Sequence, residues 1–322
     1  MARIAVTDGM STKAVEMLEK MGHEVTLRHF GKEEIDSGTL SDFDAVVIRS
    51  ATKLHSRQIS ASVSDEGGLQ FIGRAGVGVD NIDINEATKY NIKVCNTPGA
   101  STRSVVEFTI GHLIASTRNI VTADRSLRSG IWAKKELRGS EIGGKSLGLI
   151  GFGRIARGVA NAAIAFGMQV HAYDPYVVDS PEGITIHKEV DDLFRNCTHI
   201  SIHCNLTEET RNLVNSHRIS LMPRIGTDGI ECGKHIVSCA RGGIVDESAA
   251  SKALASGDLQ SLALDVFENE PLDDSPLLSH ESFHGSPHIA ASTMEAQSRI
   301  GVEMAELLIE FFETGSTRTS LN

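Results

Sequence analysis

The chain has 322 residues, long for one ordinary domain and comfortable for two. With 40% apolar and 23% charged residues its composition is ordinary for a soluble protein, and thirty glycines with seven prolines leave no low-complexity tract. A net charge of −11 disfavours nucleic acid and anionic membrane as partners, and no apolar run reaches the roughly eighteen residues that a membrane helix needs.

The opening MARIAVTDG is a short apolar strand ending at a turn, without the long apolar core of a secretory signal, so a cytoplasmic protein is expected. The cysteines, Cys95, Cys197, Cys204, Cys232 and Cys239, are odd in number and form no C-x-x-C pair, which suits free thiols in a reducing compartment.

In chain order, RIAV (3–6) is followed by a helical run at 11–22, with Ser11 or Thr12 as its cap and Gly22 as its stop. Short apolar runs follow at 43–50, 69–76 and 92–99, each ending at glycine, serine or proline, as buried parallel strands do. The stretch 104–127 has apolar residues at helical spacing and no proline, and predicts one long helix with enough apolar surface for a subunit contact. The strand pattern restarts at 145–151 and continues through 169–175, 199–204, 235–243 and 259–267 to a last strand near 282–288. A helix at 293–315 ends the sequence.

Alternating strands and helices predict an α/β protein of two doubly wound parallel sheets. The last helix is too isolated to form its own unit and is expected to return to the first sheet. The predicted organisation is therefore a discontinuous flavodoxin-like substrate domain, 1–98 with 291–322, into which a Rossmann cofactor domain, 99–290, is inserted. Two chain crossings between domains make a natural hinge, and the cleft between them is the expected site.

LGLIGFGRIARGVA (147–160) places Gly151-x-Gly153-x-x-Ala156 after an apolar strand and before a helix. Gly151 permits the tight turn, Gly153 lets a pyrophosphate approach the backbone, and the amides of Arg154 and Ile155 face it at a helix N-terminus. Twenty-one residues after Gly153, at the end of the next strand, stands Asp174, placed to bind ribose hydroxyls and repel a 2′-phosphate. The predicted cofactor is NAD rather than NADP.

Three later strand ends carry different chemical groups. SCARGGIVDE (238–247) supplies Arg241, a planar cation suited to a carboxylate. LDVFENEP (264–271) supplies Glu270, and GSPHIAAS (285–292) supplies His288, an imidazole behind a stiff proline with small residues after it. Glu268 reads as a solvated loop acid. Oxidation of a 2-hydroxy acid needs a hydride acceptor, a base for the hydroxyl proton and a cation for the carboxylate. NAD, His288 and Arg241 supply them, with Glu270 orienting His288.

These stretches, with GFGRIA and the discontinuous layout, resemble the D-2-hydroxyacid dehydrogenase family over nearly the whole chain. Within it VVIRSATKLH (46–55), GRAGVGVDNID (73–83), NTPGAST (96–102) and SIHCNLTEET (201–210) are most similar to the branch that acts on 3-phospho-D-glycerate. The resemblance implies catalytic roles for Arg241, Glu270 and His288. It places Asp265 against the nicotinamide carboxamide, His203, Thr207, Thr210 and Cys239 near the cofactor, and the amides of Gly76 and Val77 at the substrate carboxylate. It also implies a homodimer through the cofactor domain. Where the family usually has proline this chain has Asn205.

Arg49, Lys53 and Arg74 at or after strand ends, with Lys134 and Lys135, form a set of cations, with the Ser50 hydroxyl beside Arg49, that suits a dianion in an otherwise acidic chain. The expected reaction is the oxidation of 3-phospho-D-glycerate to 3-phosphohydroxypyruvate, the entry step to serine. A glyoxylate or hydroxypyruvate reductase on the same scaffold is the alternative enzyme, and an NAD-sensing corepressor-like protein the alternative of another class. Many members of the 3-phosphoglycerate branch carry a C-terminal serine-binding regulatory domain; the sequence ends without one, and serine inhibition through such a domain is not expected.

Two segments stand apart. Cys197, His199 and His203 share one strand face by parity, but side chains along a buried strand diverge and no carboxylate cluster accompanies them, so no metal is expected. The segment 223–235, PRIGTDGIECGKH, is longer than the family pattern and reads as an exposed loop before the Arg241 strand.

Overall fold

The computed structural model describes residues 1–64 and 67–322. The chain divides into two compact units, Met1–Ser101 with Ala291–Asn322, and Thr102–Ala290.

In the first unit the strands are β1 (Arg3–Val6), β2 (Glu24–Leu27), β3 (Ala45–Ile48), the short pair β4 (Val63–Ser64) and β5 (Gly67–Gly68), β6 (Phe71–Arg74) and β7 (Lys93–Asn96). Five of them form a parallel sheet in the order β2-β1-β3-β6-β7, while β4 and β5 pair with each other antiparallel. Side chains alternate across the pleat, so each strand feeds two cores. Ile4, Val6, Ala45, Val47, Phe71 and Cys95 meet Leu18 of the first helix and Ile300, Met304, Leu307 and Leu308 of the helix Met294–Thr314. On the other face Ala5, Val46, Ile48, Ile72 and Val94 meet Phe30, Leu40, Leu54 and Ile59. The final helix thus completes the first sheet, as its isolation in the sequence predicts. The sheet order reverses between β1 and β3, and the loops after those strands carry Asp8 and Arg49.

The second unit contains β8 (Ser146–Ile150), β9 (Gln169–Tyr173), β10 (Ile184–His187), β11 (His199–Ile202), β12 (His235–Ser238), β13 (Ser261–Leu264) and β14 (Phe283–Gly285). They form one parallel sheet in the order β10-β9-β8-β11-β12-β13-β14. Leu147, Leu149, Val170 and Ala172 pack on Val159, Ala160 and Ala163 of one helix, and Ile200, Ile236 and Leu262 on Leu193, Ile219 and Leu254 from the other side. Both faces are covered, which is why these strands read as continuous apolar runs. The order reverses between β8 and β11.

Two expectations are corrected. The stretch 104–127 is two helices, Thr102–Thr117 and Ile120–Arg128, separated by Asn119, whose φ of 52° ends the first. β2 and β10 lie outside the strand runs read from the sequence; both are edge strands with partly exposed side chains. The segment 223–235 is a loop exposed at Ile225 and Ile230, as expected, and it is also anchored: Asp228 pairs with the buried Lys145, Arg224 donates to Gly257 O at 3.0 Å, and the buried Lys234 pairs with Asp258 at 2.6 Å.

Candidate active site

The turn after β8 is shaped for a dinucleotide. Gly151 has a φ of 81°, and a Cβ on it would lie 2.7 Å from Cys204 N and 2.9 Å from the His203 carbonyl carbon. Only glycine lets β8 and β11 end this close together. Gly153 then caps the helix Arg154–Ala165, which has no side-chain cap and no acidic residue in its first turn. Its free amides and positive dipole end suit a pyrophosphate. The buried Ala156 takes the third motif position in the core under the turn. Asp174 accepts from Phe152 N at 2.8 Å and from Tyr176 N at 2.9 Å, so it braces the glycine turn, and each oxygen retains a lone pair for a ribose hydroxyl. These features fit NAD.

Beside this turn His203 is half-buried, and desolvation takes its imidazole down to about 4, a neutral ring at pH 7; its Nε2 lies 2.9 Å from Ser201 Oγ. Burial pushes the Cys239 thiol up to about 12 and keeps it protonated. The Thr210 hydroxyl closes its own loop, donating to Asn205 O at 2.7 Å and accepting from Thr207 N at 2.7 Å. The acceptor is the Asn205 backbone carbonyl, so the bond does not depend on the asparagine side chain. His199, on the strand below, stacks on His235 with centroids 4.5 Å apart.

At the carboxyl ends of β12, β13 and β14 the three predicted groups converge. His288 Nδ1 lies 2.9 Å from Glu270 Oε2, and both side chains are 38% exposed. Glu270 Oε1 accepts from Phe267 N at 3.0 Å. Desolvation raises the Glu270 carboxyl, but the hydrogen bonds from His288 and Phe267, with the charges of His288 and Arg241, outweigh it and leave a net lowering. A carboxylate on Nδ1 fixes the tautomer and leaves Nε2 as the nitrogen that exchanges a proton with a ligand. Arg241 is half-buried and donates to Ala240 O at 2.6 Å. Its loop reaches the Glu270 loop because residue 242 is glycine: a Cβ there would lie 1.8 Å from Phe267 O.

The His288 backbone is itself held in an unusual conformation, with a φ of 55°. Its N–H donates to Asp265 O at 2.8 Å and to Ser286 O at 3.0 Å. The Asp265 side chain is fully buried and also serves this turn. Oδ1 accepts from Ile289 N at 2.8 Å and from Ser286 Oγ at 2.6 Å, and Oδ2 accepts from Ala290 N at 2.9 Å. The structure therefore binds both oxygens of Asp265, expected at the nicotinamide, to protein donors. The proline before His288 and the helix start after it do not by themselves fix the ring; the helix begins only at Met294.

In the first unit Asp8, which no sequence motif marks, organises the predicted cation loop. Its Oδ2 accepts from Arg49 N at 2.6 Å and Thr52 N at 3.1 Å, and its Oδ1 from Thr52 Oγ1 at 2.8 Å. Asn81 Nδ2 donates to the carbonyls of Arg49 at 2.7 Å and Thr52 at 2.6 Å. Arg74 reaches across to Ser50 Oγ at 3.0 Å, which brings two of the predicted residues together, and Lys53 is exposed on the same loop. The Gly76 amide is engaged by Arg74 O at 2.8 Å, and Val77 O accepts from Asn96 Nδ2 at 2.6 Å. Lys134 and Lys135 belong to the second unit and are exposed.

Residues 110–290 match the family described as D-isomer specific 2-hydroxyacid dehydrogenase, NAD binding domain, and the cofactor of this domain is NAD. The hydroxypyruvate reductase of Thermotoga maritima is 42% identical over 313 residues, covering 96% of this chain and 97% of its own. The D-3-phosphoglycerate dehydrogenase of Methanocaldococcus jannaschii is 41% identical over 309 residues, covering 95% of this chain but 56% of its own; the chain thus spans little more than half of that relative. Among solved structures, a glyoxylate reductase from Paecilomyes thermophila superposes with a TM-score of 0.86 at 26% identity, over 99% of this chain and 98% of that one. With a fold, a glycine turn and a matched domain in agreement, the chain belongs to the D-isomer specific 2-hydroxyacid dehydrogenases.

Proposed function

We propose that the chain catalyses NAD-dependent oxidation of 3-phospho-D-glycerate to 3-phosphohydroxypyruvate, the first step of serine biosynthesis. The observation that carries the 2-hydroxy-acid chemistry is the His288–Glu270 pair at 2.9 Å, with Arg241 acting on the same carboxylate. Arg241 and the Val77 amide bind the substrate carboxylate. His288 Nε2 takes the C2 hydroxyl proton, and Glu270 stabilises the imidazolium that results. Bound NAD supplies the hydride acceptor. Arg154, Ile155 and Gly153 hold its pyrophosphate and Asp174 its ribose, while His203, Thr210, Cys239 and Asp265 shape the wall beside it.

The phosphate assignment rests on Arg49, Ser50, Lys53 and Arg74, ordered by Asp8 and linked through the Arg74–Ser50 hydrogen bond. A second reading, reduction of hydroxypyruvate or glyoxylate, is favoured by the Thermotoga maritima relative, which the chain matches end to end. A coupled assay of 3-phosphoglycerate, lactate, glyoxylate and hydroxypyruvate, with NAD(H) and NADP(H), separates them. A kcat/KM for 3-phosphoglycerate no better than for the unphosphorylated acids removes the phosphate reading. Arg49→Ala should raise KM for the phosphorylated substrate far more than for glyoxylate. Turnover that disappears in His288→Ala excludes a purely NAD-sensing protein.

The helix Ile120–Arg128 has no buried residue, and it leaves Ile120 and Leu127 exposed, followed by Ile131 and Trp132. That apolar strip supports a homodimer formed through the NAD-binding domain, which sedimentation of the purified protein tests. Among the described residues no helix is long and apolar enough to cross a membrane.

A further inference from the structure

The reaction chemistry proposed above uses Arg241, Glu270 and His288, yet the His288 turn is tied to a buried group outside that set. His112 projects from the helix Thr102–Thr117, 9% exposed, with its Nε2 3.2 Å from Ser286 Oγ. Ser286 Oγ donates to Asp265 Oδ1 at 2.6 Å. A hydroxyl has one proton, and here it points to the carboxylate; towards His112 the same oxygen therefore accepts, and Nε2 of His112 carries the hydrogen. The ring is fixed on both sides. Phe108 meets it edge-on with centroids 4.6 Å apart, and His284 stacks on it at 5.1 Å with 27° between the planes.

We propose that His112 is a positioning residue for His288, acting through Ser286 and Asp265. The chain of contacts runs from a helix packed on the sheet, through one N–H and one hydroxyl, to the buried carboxylate. From there it reaches the amides of Ile289 and Ala290, and through the Asp265 carbonyl the N–H of His288 itself. A left-handed φ at a non-glycine residue persists only where surrounding contacts hold it, and these are the contacts.

The groups facing His112 are Asp265 and His284; His284 in turn faces Arg125; His288 faces Glu270, itself under the charge of Arg241. Burial lowers His112 despite the Asp265 charge, and burial with the neighbouring His112 and Arg125 takes His284 down to about 4. Both rings are neutral at pH 7. The chain thus transmits orientation, not a proton.

The inference rests on the dehydrogenase reading for its kinetic arm, so the test has a second arm that needs no turnover. His112→Leu removes the N–H at similar volume, and His112→Gln restores a donor. The His288 imidazole is titrated by nitrogen NMR in each variant of the full chain, and kcat and KM are measured with NADH and hydroxypyruvate. The expected result for His112→Leu is a His288 midpoint moved by more than about 0.5 pH and a kcat lowered roughly tenfold, with KM for NADH within about twofold. His112→Gln recovers both. Ser286→Ala reproduces the loss, and the double variant is no worse than either single change, as members of one chain require. An unchanged His288 titration in folded His112→Leu overturns the proposal, as does additivity of the two substitutions. If the wild-type chain neither oxidises a 2-hydroxy acid nor reduces a 2-oxo acid, the dehydrogenase reading fails while the titration still decides the positioning role.

Discussion

Two loops, one in each unit, solve the same problem with the same parts. After β1, Asp8 holds the Arg49–Thr52 loop through two backbone N–H groups and one threonine hydroxyl. After β13, Asp265 holds the 286–290 turn through two backbone N–H groups and one serine hydroxyl. In each case a carboxylate at a strand's carboxyl end orders a neighbouring strand's loop, and that loop carries a group proposed to meet the substrate. The difference is solvent. Asp265 is fully buried, whereas Asp8 is half-exposed. Buried donors that lose a partner find no water to replace it, and the penalty is the desolvation of each orphaned group. Water can therefore replace a lost partner of Asp8 but not one of Asp265.

The sharpest way to break this comparison is to make the same change in both places. Asp265→Asn keeps the volume but sets an amide N–H₂ against a backbone N–H. It should lower unfolding stability by about 3 kcal/mol, and kcat by roughly a hundredfold as His288 loses its backbone position. Asp8→Asn, where water reaches the loop, should lower stability by about 1 kcal/mol and act on KM for the phosphorylated acid rather than on kcat. Urea unfolding and steady-state kinetics check both. Equal losses at the two sites would show that burial does not separate the loops.

The same contrast explains what was legible in the sequence. Strands buried on both faces appear as apolar runs, and all of those in the central parts of the two sheets are readable. The edge strands β2 and β10 are not, because their outward residues, such as Glu24 and Thr185, interrupt the run. Asn119 was invisible as a break because left-handed backbone at asparagine is a local choice that apolar periodicity does not report. At the site, Arg241, Glu270 and His288 stand in distinctive flanking residues and could be named. Asp8 and Asn81 could not, since their work is done on backbone amides and carbonyls far away in sequence. TDG after a strand signals a turn, and only the three-dimensional path shows which loop that aspartate holds. Asp265 is legible as a site residue, but its hold on the 286–290 turn is not, for the same reason.

The smallest expected effect on stability lies beside the buried brace, at Glu270. Its carboxyl is held below the ordinary carboxylate value, since the hydrogen bonds from His288 and Phe267 outweigh a desolvation that pushes the other way. A carboxyl whose folded value is depressed stabilises the native state fully above its unfolded value, and the contribution is lost as pH falls through the folded value. Glu270→Gln removes that contribution. The wild type should therefore be the more stable of the two near neutrality, and the two unfolding curves should converge below about pH 4, the ordinary carboxylate range. With both partners 38% exposed, solvent screens the pair and the gap at neutrality stays small. The rate responds differently, because in Glu270→Gln the imidazolium formed at His288 loses its counter-charge, and kcat should fall roughly a hundredfold. A large stability gap with little change in kcat would make Glu270 a second structural brace like Asp265. The expected opposite, little stability and much rate, separates the carboxylate that stabilises the His288 imidazolium from the carboxylate that holds the His288 backbone in place.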